Sequence, residues 1–440
     1  MSAQDAVVSE SPSMTPNYRK YALMVLLLAY TSSYVDRQIM GILIEPIKAD
    51  LQLSDTQMGF MTGIAFAIFY ATLGIPIAFL ADRWSRRKII AWSILIWSGM
   101  TMVCGLAGNF AQLAIARVGV GIGEAGSSPP SHSIIADMYA PKHRAGAMAI
   151  YALGVYLGIM LGFLVGAYVA ATYGWRWAFV VVGAPGILIA ALVRFTLREP
   201  KRGESEGIPE KELPPFVLKE AIAQVLGAFK HLATDKVSFH TVAGVTLVSF
   251  VGYGGAVWGA SFLIRSHGFT LIEVGEFLAL VIGVGGVTGA LLGGFLTDKI
   301  GQIDPRWKSW IVTCAKVAAA PLVLFTYLTS NTELMMLVYI PVTILGAFYL
   351  GPSFAMIQSR APIHMRSLVS AVMLFILNMI GLGLGPQMVG ILSDYLAPSY
   401  GADSLRYALM ILSFFSLWGA LHYYLAGRAI GAELKEQEGR

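Results

Sequence analysis

The sequence predicts an all-helical membrane protein of twelve transmembrane helices in two pseudo-symmetric six-helix halves, and three observations carry that prediction. Of 440 residues, 56% are hydrophobic and only 13% charged, where ordinary soluble chains carry about 25% charged residues. Apolar windows of roughly 20 residues, each able to cross about 30 Å of hydrocarbon, recur at 19–48, 56–81, 88–107, 110–139, 145–171, 177–197, 237–265, 272–297, 308–329, 333–361, 367–396 and 404–427. Finally, Leu53-Ser54-Asp55-Thr56-Gln57-Met58-Gly59 is echoed by Phe269-Thr270-Leu271-Ile272-Glu273-Val274-Gly275, and Leu80-Ala81-Asp82-Arg83 by Leu296-Thr297-Asp298-Lys299. Both echoes stand at one offset of 216 residues (275 minus 59, 298 minus 82). An offset held across a whole span marks a parallel repeat, and such repeats place a substrate near mid-membrane where the halves meet.

Residues 1–18 form a polar tail without the basic start, short apolar core or small-residue cleavage site of a signal peptide, so the first span is expected in the mature chain. Spans one to six fill 19–197. Ser54 with Gln57, and Thr270 with Glu273, have capping-box spacing and start the second and eighth helices. In span five Gly154, Gly158, Gly162 and Gly166 repeat every four residues, a bare face that either packs statically or slides between the halves. Gly381, Gly383, Gly385 and Pro386 punctuate span eleven less regularly. Residues 198–236 read as a linker, charged and rich in Gly and Pro up to Pro215. Its second part sets Phe216, Val217, Ile222, Val225, Leu226 and Phe229 opposite Lys219, Glu220, Gln224 and Lys230, an interfacial helix on the inner leaflet in preference to one packed on the bundle. Spans seven to twelve fill 237–427, and 428–440 form a tail.

The formal net charge is +5, and its distribution argues against nucleic acid. Basic residues crowd alternate loops, at Arg19 and Lys20, Arg83 to Lys88, Lys142 and Arg144, Lys201 and Arg202, Lys299 to Lys308, Arg366 and Arg428, while the opposite loops hold few, such as Lys48, Arg176, Arg265 and Arg406. By the positive-inside rule both termini and the middle loop are cytoplasmic, in a bacterial inner membrane. Cys104 and Cys314 lie inside spans and make neither a disulfide framework nor a metal site. No cofactor and no obligatory partner chain is expected, and the chain is expected to act as a monomer.

Charge inside a span needs a reason, because a charged side chain at the bilayer centre costs about 2.5–3.5 kcal/mol on insertion scales. Span one carries Asp36 and Arg37 side by side. Neighbours on a helix point apart and cannot pair, so each needs a partner elsewhere. Span four holds Arg117, Gly121, Glu124, Ser128 and Ser131 on roughly one face. Counted from the cytoplasmic ends at 1.5 Å per residue, Asp36 and Glu124 both lie roughly 22 Å deep, with Arg117 two turns further out, near the outer mouth. The expectation is that Asp36 or Glu124 exchanges a proton with Arg37 as the switching partner, the alternative being a permanent ion pair between spans one and four. Tyr34 and Ser128 are expected to line the same cavity. The second half contributes Tyr253 and Trp258 in span seven, Tyr349 in span ten and Asn378 in span eleven, an aromatic and amide lining suited to an amphiphile. Lys316 and Arg194 are read as snorkelling to the cytoplasmic interface.

The loop Ala78-Phe79-Leu80-Ala81-Asp82-Arg83-Trp84-Ser85-Arg86-Arg87 resembles the signature between spans two and three of the major facilitator superfamily, with Ala78 and Ser85 where glycines are usual. The second copy, Gly294 to Gly301, keeps both glycines and carries Asp298 and Lys299. Arg117-Val118-Gly119-Val120-Gly121 resembles the superfamily's fourth-span motif and Gly174 to Phe179 its short loop before span six, so the resemblance covers essentially the whole chain. Asp82, Arg83, Arg86, Arg87, Asp137, Asp298 and Lys299 are the expected conformational latch, carboxylates that bind facing helix N-termini and basic groups. Tyr34 to Arg37, Gly121 to Ala125 and Ile135 to Asp137 further resemble the Spinster branch. That resemblance implies a secondary transporter of lysophospholipid-like or sphingosine-phosphate-like molecules and puts Asp36, Arg37, Glu124 and Arg117 at the family's central charged positions.

The leading expectation is therefore a proton-coupled transporter that moves an amphiphile across the bilayer by alternating access. A symporter of small organic anions clamped by Arg37 and Arg117, and a passive scramblase or receptor with structural charges, are the alternatives. An enzyme is not expected: no span joins a nucleophile to a base, and His132, His143 and His364 lack metal-ligand spacing.

Overall fold

The computed structural model describes residues 14–206, 218–362 and 365–438, and among these the chain is helix and turn with no strand. Phe216, Val217 and His364 lie outside the described residues.

Each expected span is a helix or a helix with one break. The first half runs Pro16–Ile42 with Ile44–Leu51, Asp55–Thr62 with Ile64–Ala81, Arg86–Cys104, Phe110–Glu124 with Ser128–Met138, Pro141–Tyr173 and Trp175–Thr196. The second runs Lys236–His267, Leu271–Gly301, Trp307–Leu328, Thr332–Gly346 with Leu350–Arg360, Arg366 to Tyr400, and Ser404–Glu438. Eight stretches are long and apolar enough to cross a membrane, the last of them, Arg366–Gln437, holding spans eleven and twelve. Spans one, three and four stand outside that set for a physical reason. They carry Asp36 and Arg37, Arg86 to Lys88, and Arg117 with Glu124, and span four is interrupted right after Glu124.

Both repeated capping boxes form. The Ser54 and Gln57 side chains each accept from the other's backbone N–H (3.2 and 2.9 Å), as Thr270 and Glu273 do at the start of span eight (3.3 and 2.8 Å). An even number of spans puts both described ends on one face, termed the terminal face below, with the far face opposite.

The halves meet along two seams. Span five lays Phe163 and Ala167 on Gly275 of span eight, where an added Cβ would stand 2.8 Å from the Phe163 carbonyl oxygen. Span two crosses span eleven at its break, where a Cβ on Gly63 would run into the Gly383 carbonyl. Span eleven answers with a wide π-helical turn over Leu377–Leu384. The four-residue glycine stripe of span five does not slide between halves. Gly154, Gly158, Gly162 and Gly166 pack on Thr31, Tyr34, Gln38 and Ile42 of span one, inside the first half.

The linker helix Leu218–Thr234 also differs from expectation. Ala228 and Leu232 are buried, in one cluster with Val369 and Met373 of span eleven, so the helix packs on the second half, while Ile222 and Leu226 are its exposed large apolar residues. Val225 and Phe229 find better burial against the bundle than at a lipid surface. Lys316 is not a snorkelling residue either. It is 4% exposed, and its Nζ donates to the carbonyls of Gly346 (2.6 Å) and Leu345 (3.3 Å), C-terminal acceptors where span ten breaks. Arg194 is exposed, as expected.

Candidate functional site

Span one supplies Ser33, Asp36 and Arg37 to the interior of the first half, and span four supplies Glu124 at the point where its helix stops. Gly121 and Gly123 make that approach feasible, since a Cβ on either would meet the backbone of Phe66 or Trp97. Glu124 Oε2 accepts from Ser33 Oγ (3.1 Å), from Arg37 Nε (3.2 Å) and from the Arg37 terminal nitrogen, so spans one and four are joined by a buried ion pair. The guanidinium of Arg37 is boxed by the rings of Tyr34 (4.8 Å), Phe66 (4.9 Å) and Tyr70 (4.7 Å). Cation–π contacts of this kind contribute about 2 kcal/mol each when desolvated.

Asp36 has a different lot. It is fully buried, and neither carboxylate oxygen has a hydrogen-bond partner among the described residues. Trp97 Nε1 and Thr101 Oγ1 face it without closing a hydrogen bond of good geometry, so their donors are unspent as well. Glu124 Oε1, Ser98 Oγ, Ser127 Oγ and two Arg117 nitrogens share this condition. Unpaired buried polar groups cost about 1–3 kcal/mol each. A fold keeps such a cluster where the protonation or hydration of its members changes during function.

Arg117 is not at the mouth. It is 1% exposed, and its guanidinium stands 5.5 Å over the same Phe66 ring that Arg37 contacts, so two carboxylates and two guanidiniums form one layer. Tyr34 and Ser128 are half-buried beside it, Tyr34 edge-on to Tyr30, which stacks on Tyr151 at 4.4 Å. Across the seam Tyr253 and Asn378 are half-buried, and Tyr349 accepts from Ser249 Oγ (3.2 Å) with Lys316 Nζ 5.0 Å from its ring. The second half thus has a buried cation of its own and is not only aromatic. Trp258 departs from expectation: fully buried, it donates Nε1–H to the Pro386 carbonyl (2.8 Å) and ties span seven to span eleven instead of lining a cavity.

At the terminal face the residues of the expected latch differ in their surroundings. Arg86 is buried and bonds Asp137, Ser133 Oγ (2.8 Å), the Pro200 carbonyl (2.8 Å) and Glu199 (2.8 Å). Glu199 also accepts from the backbone N–H of Arg86 and Arg87 at the start of span three. Burial pushes its carboxyl up, but those hydrogen bonds and the Arg86 charge outweigh it and hold the group below the ordinary carboxylate range. Arg87 donates to the Leu197 carbonyl. Asp82, Arg83, Asp298 and Lys299 are exposed, and Lys299 lies over the Phe295 ring. The second half builds its network around Arg360, which bridges Asp235 and Glu433 at 2.7 Å each. Sequence reasoning missed Glu199, Asp235, Arg360 and Glu433.

It also missed an ion-pair network at the far face that joins the two halves. Asp55 accepts a bidentate pair from Arg265 (2.7 and 2.8 Å), a bond from Lys48 (2.5 Å) and another from Ser393 (2.6 Å), while Arg265 reaches Glu45 as well (2.9 Å). Asp394 of span eleven accepts from the backbone N–H of Asp55 and Thr56, capping span two from the other half. The one available signal was that Lys48 and Arg265 are among the few bases on that side.

Residues 26–386 match the family model of the Major Facilitator Superfamily. The chain belongs to that superfamily. Within it, the chain is 31% identical to a bacterial homolog of the human lysosomal transporter Spinster, crystallised in an inward-facing and unoccupied conformation, at a TM-score of 0.82 over 95% of this chain and 98% of that one. An MFS-type efflux pump of Mycolicibacterium smegmatis is 36% identical over 417 residues, 94% of each protein. Protein spinster homolog 1 of Xenopus tropicalis is 26% identical over 96% of this chain and 83% of its own. This superfamily member is of the Spinster branch, an integral membrane transporter with the twelve-span fold, and not an enzyme.

Proposed function

We propose that this Spinster-branch transporter moves an amphiphilic, lipid-like substrate of the lysophospholipid or sphingosine-phosphate class by proton-coupled alternating access. The observation that supports it is the contrast between two buried carboxylates in one layer, Glu124 held by Arg37 and Asp36 without a salt bridge or a hydrogen bond of good geometry. In this reading Asp36 carries the proton in the present conformation. When it releases the proton, the new anion repels Glu124 within the same layer and shifts the Arg37–Glu124 pair, and the movement of span one relative to span four passes to span seven, on whose Val257 backbone Gly41 of span one rests. Both termini are cytoplasmic, in a bacterial inner membrane, so the far face is the outer one and the conformation is sealed outside. The gate around Asp55 and Arg265 holds it so, and the Arg86 network orders the cytoplasmic ends. The transporter works as a monomer.

The half-buried ring and amide lining from Tyr34, Tyr253, Tyr349 and Asn378 suits a tail and a polar head. An organic-anion clamp is less well supported, because Arg37 is already engaged by Glu124 and Arg117 is closed off. The test is purified protein in liposomes, following a fluorescent lysolipid with and without a pH gradient, in wild type, Asp36→Asn and Glu124→Gln. A gradient that drives wild type and fails to drive either variant supports the reading. Equal movement in all three removes proton coupling through this layer and leaves a scramblase.

A further inference from the structure

Span two and the linker helix line an open groove of about 560 Å³ at the terminal end of the fold, within the range of roughly 300–1,000 Å³ usual for small-molecule pockets. Ile75, Pro76 and Phe79 form one wall and Ile222, Val225 and Leu226 the other. The two ends differ. Thr72 lies at the deep end with its hydroxyl on the Ile68 carbonyl (2.5 Å), and Arg83, which donates from Nη1 to the Phe79 carbonyl (3.4 Å), stands at the surface end. From Thr72 the helix runs nine residues on to its end at Ala81, about 14 Å along a span that crosses the membrane, and Arg83 follows in the turn. The slot therefore runs from headgroup level into the hydrocarbon, apolar throughout its length and cationic at its mouth.

The two walls belong to different halves. Span two is part of the first bundle, while the linker helix is anchored on the second through Ala228 and Leu232. Rocking of the halves changes the width of the slot, so an occupant seated in it favours the conformation in which it fits. At its rim Leu80, Ile222 and Leu226 are exposed, an apolar path to the surrounding leaflet.

We propose that this groove is a binding site for a single-chain anionic amphiphile drawn from the leaflet on the terminal side, its tail between span two and the linker helix and its anionic head on Arg83. The site receives substrate before it reaches the charged layer. That role rests on the amphiphile reading above, while the binding itself does not.

The test uses the full chain in nanodiscs and a lysophosphatidylglycerol with a photoactivatable diazirine in its tail, with transport of the same lipid followed in proteoliposomes. Adducts are expected on peptides covering 72–83 and 221–226. Ile75→Trp and Ile222→Trp fill the slot from opposite walls and should each lower labelling about tenfold, as an overpacking indole would impose. Agreement between two variants on separate helices excludes a local folding defect. Arg83→Gln should weaken labelling by the anionic lipid several-fold and leave that by an uncharged monoacylglycerol unchanged. Adducts confined to other surfaces, with both Trp variants labelling as wild type does, overturn the site. If wild type labels in the groove and moves no lipid, the site stands and the cargo reading falls. If it moves lipid and the Trp variants label and transport as wild type does, the cargo reading stands and the site falls.

Discussion

Replacing Asp55 with Asn tests whether the far-face gate sets the balance of conformations. In the sealed form its carboxylate takes both Arg265 bonds and the Ser393 bond from the opposite half. Hydrogen bonds to a charged group contribute about 1.5–3 kcal/mol each, and breaking one member of a largely buried pair costs about 3–5 kcal/mol. Asp55 and Arg265 side chains are 4% and 15% exposed, so screening takes little from this. Asn keeps one weaker acceptor, and water repays part of the loss once the gate parts, which leaves about 3 kcal/mol against the sealed form. That is roughly a hundredfold in the ratio of open to sealed molecules. Spin labels at Leu106 and Tyr395, both exposed and one in each half, with the exposed Cys314 changed to Ser, report that ratio by pulsed electron resonance. A longer-distance population should rise in Asp55→Asn and in Arg265→Gln, and the double variant should add little to either. Distance distributions that stay at the wild-type form in both single variants would refute the gate.

Gly63→Ala puts a methyl into the Gly383 carbonyl at the seam crossing, so the sealed form should lose population and lysolipid turnover should fall severalfold, read with the same labels. Glu199→Gln removes the charge and turns one of the two accepting oxygens into an amide donor, so either the Arg86 bonds on one oxygen or the Arg87 bond on the other is lost, at a cost of about 1–3 kcal/mol in thermal stability. Because the Glu199 carboxyl is held below its ordinary value, its contribution is complete above that ordinary value and disappears as pH falls through the lowered one. Wild-type stability should therefore drop across that acidic window more steeply than that of Glu199→Gln in parallel thermal scans. Lys316→Met takes the Nζ donor from the Gly346 carbonyl and from its weaker contact with Leu345, and turnover should fall while the substrate concentration at half-maximal rate is kept; a change in that concentration alone would show that Lys316 acts on the substrate directly.

Much of the fold could be read from single residues because the membrane imposes length, and repeated caps impose register. Ser54 with Gln57 and Thr270 with Glu273 need only local spacing to be recognised. The Arg37–Glu124 pair was legible for another reason: charge inside an apolar run demands a partner, and depth counting left few candidates. The gate was not legible, since Arg265 and Asp55 are 210 residues apart and a base near a span end also serves to orient the span. Trp258 and Lys316 show the same limit. Their composition suggested a lining ring and a snorkelling amine, yet Pro386, Leu345 and Gly346 offered carbonyls that only three-dimensional proximity reveals.

In the proposed alternating access, the crossing of spans two and eleven is placed to serve as the fulcrum of an unequal lever. From Gly63 the helix runs eight residues to Asp55 in one direction and eighteen to Ala81 in the other, arms of about 12 and 27 Å. A rotation about that point moves the terminal ends more than twice as far as the far ends. The mouth between the terminal ends is therefore the wide one, and the opening that follows release of the gate is a slit. A slit passes a slender chain end first more readily than it passes a compact, hydrated solute of the same mass.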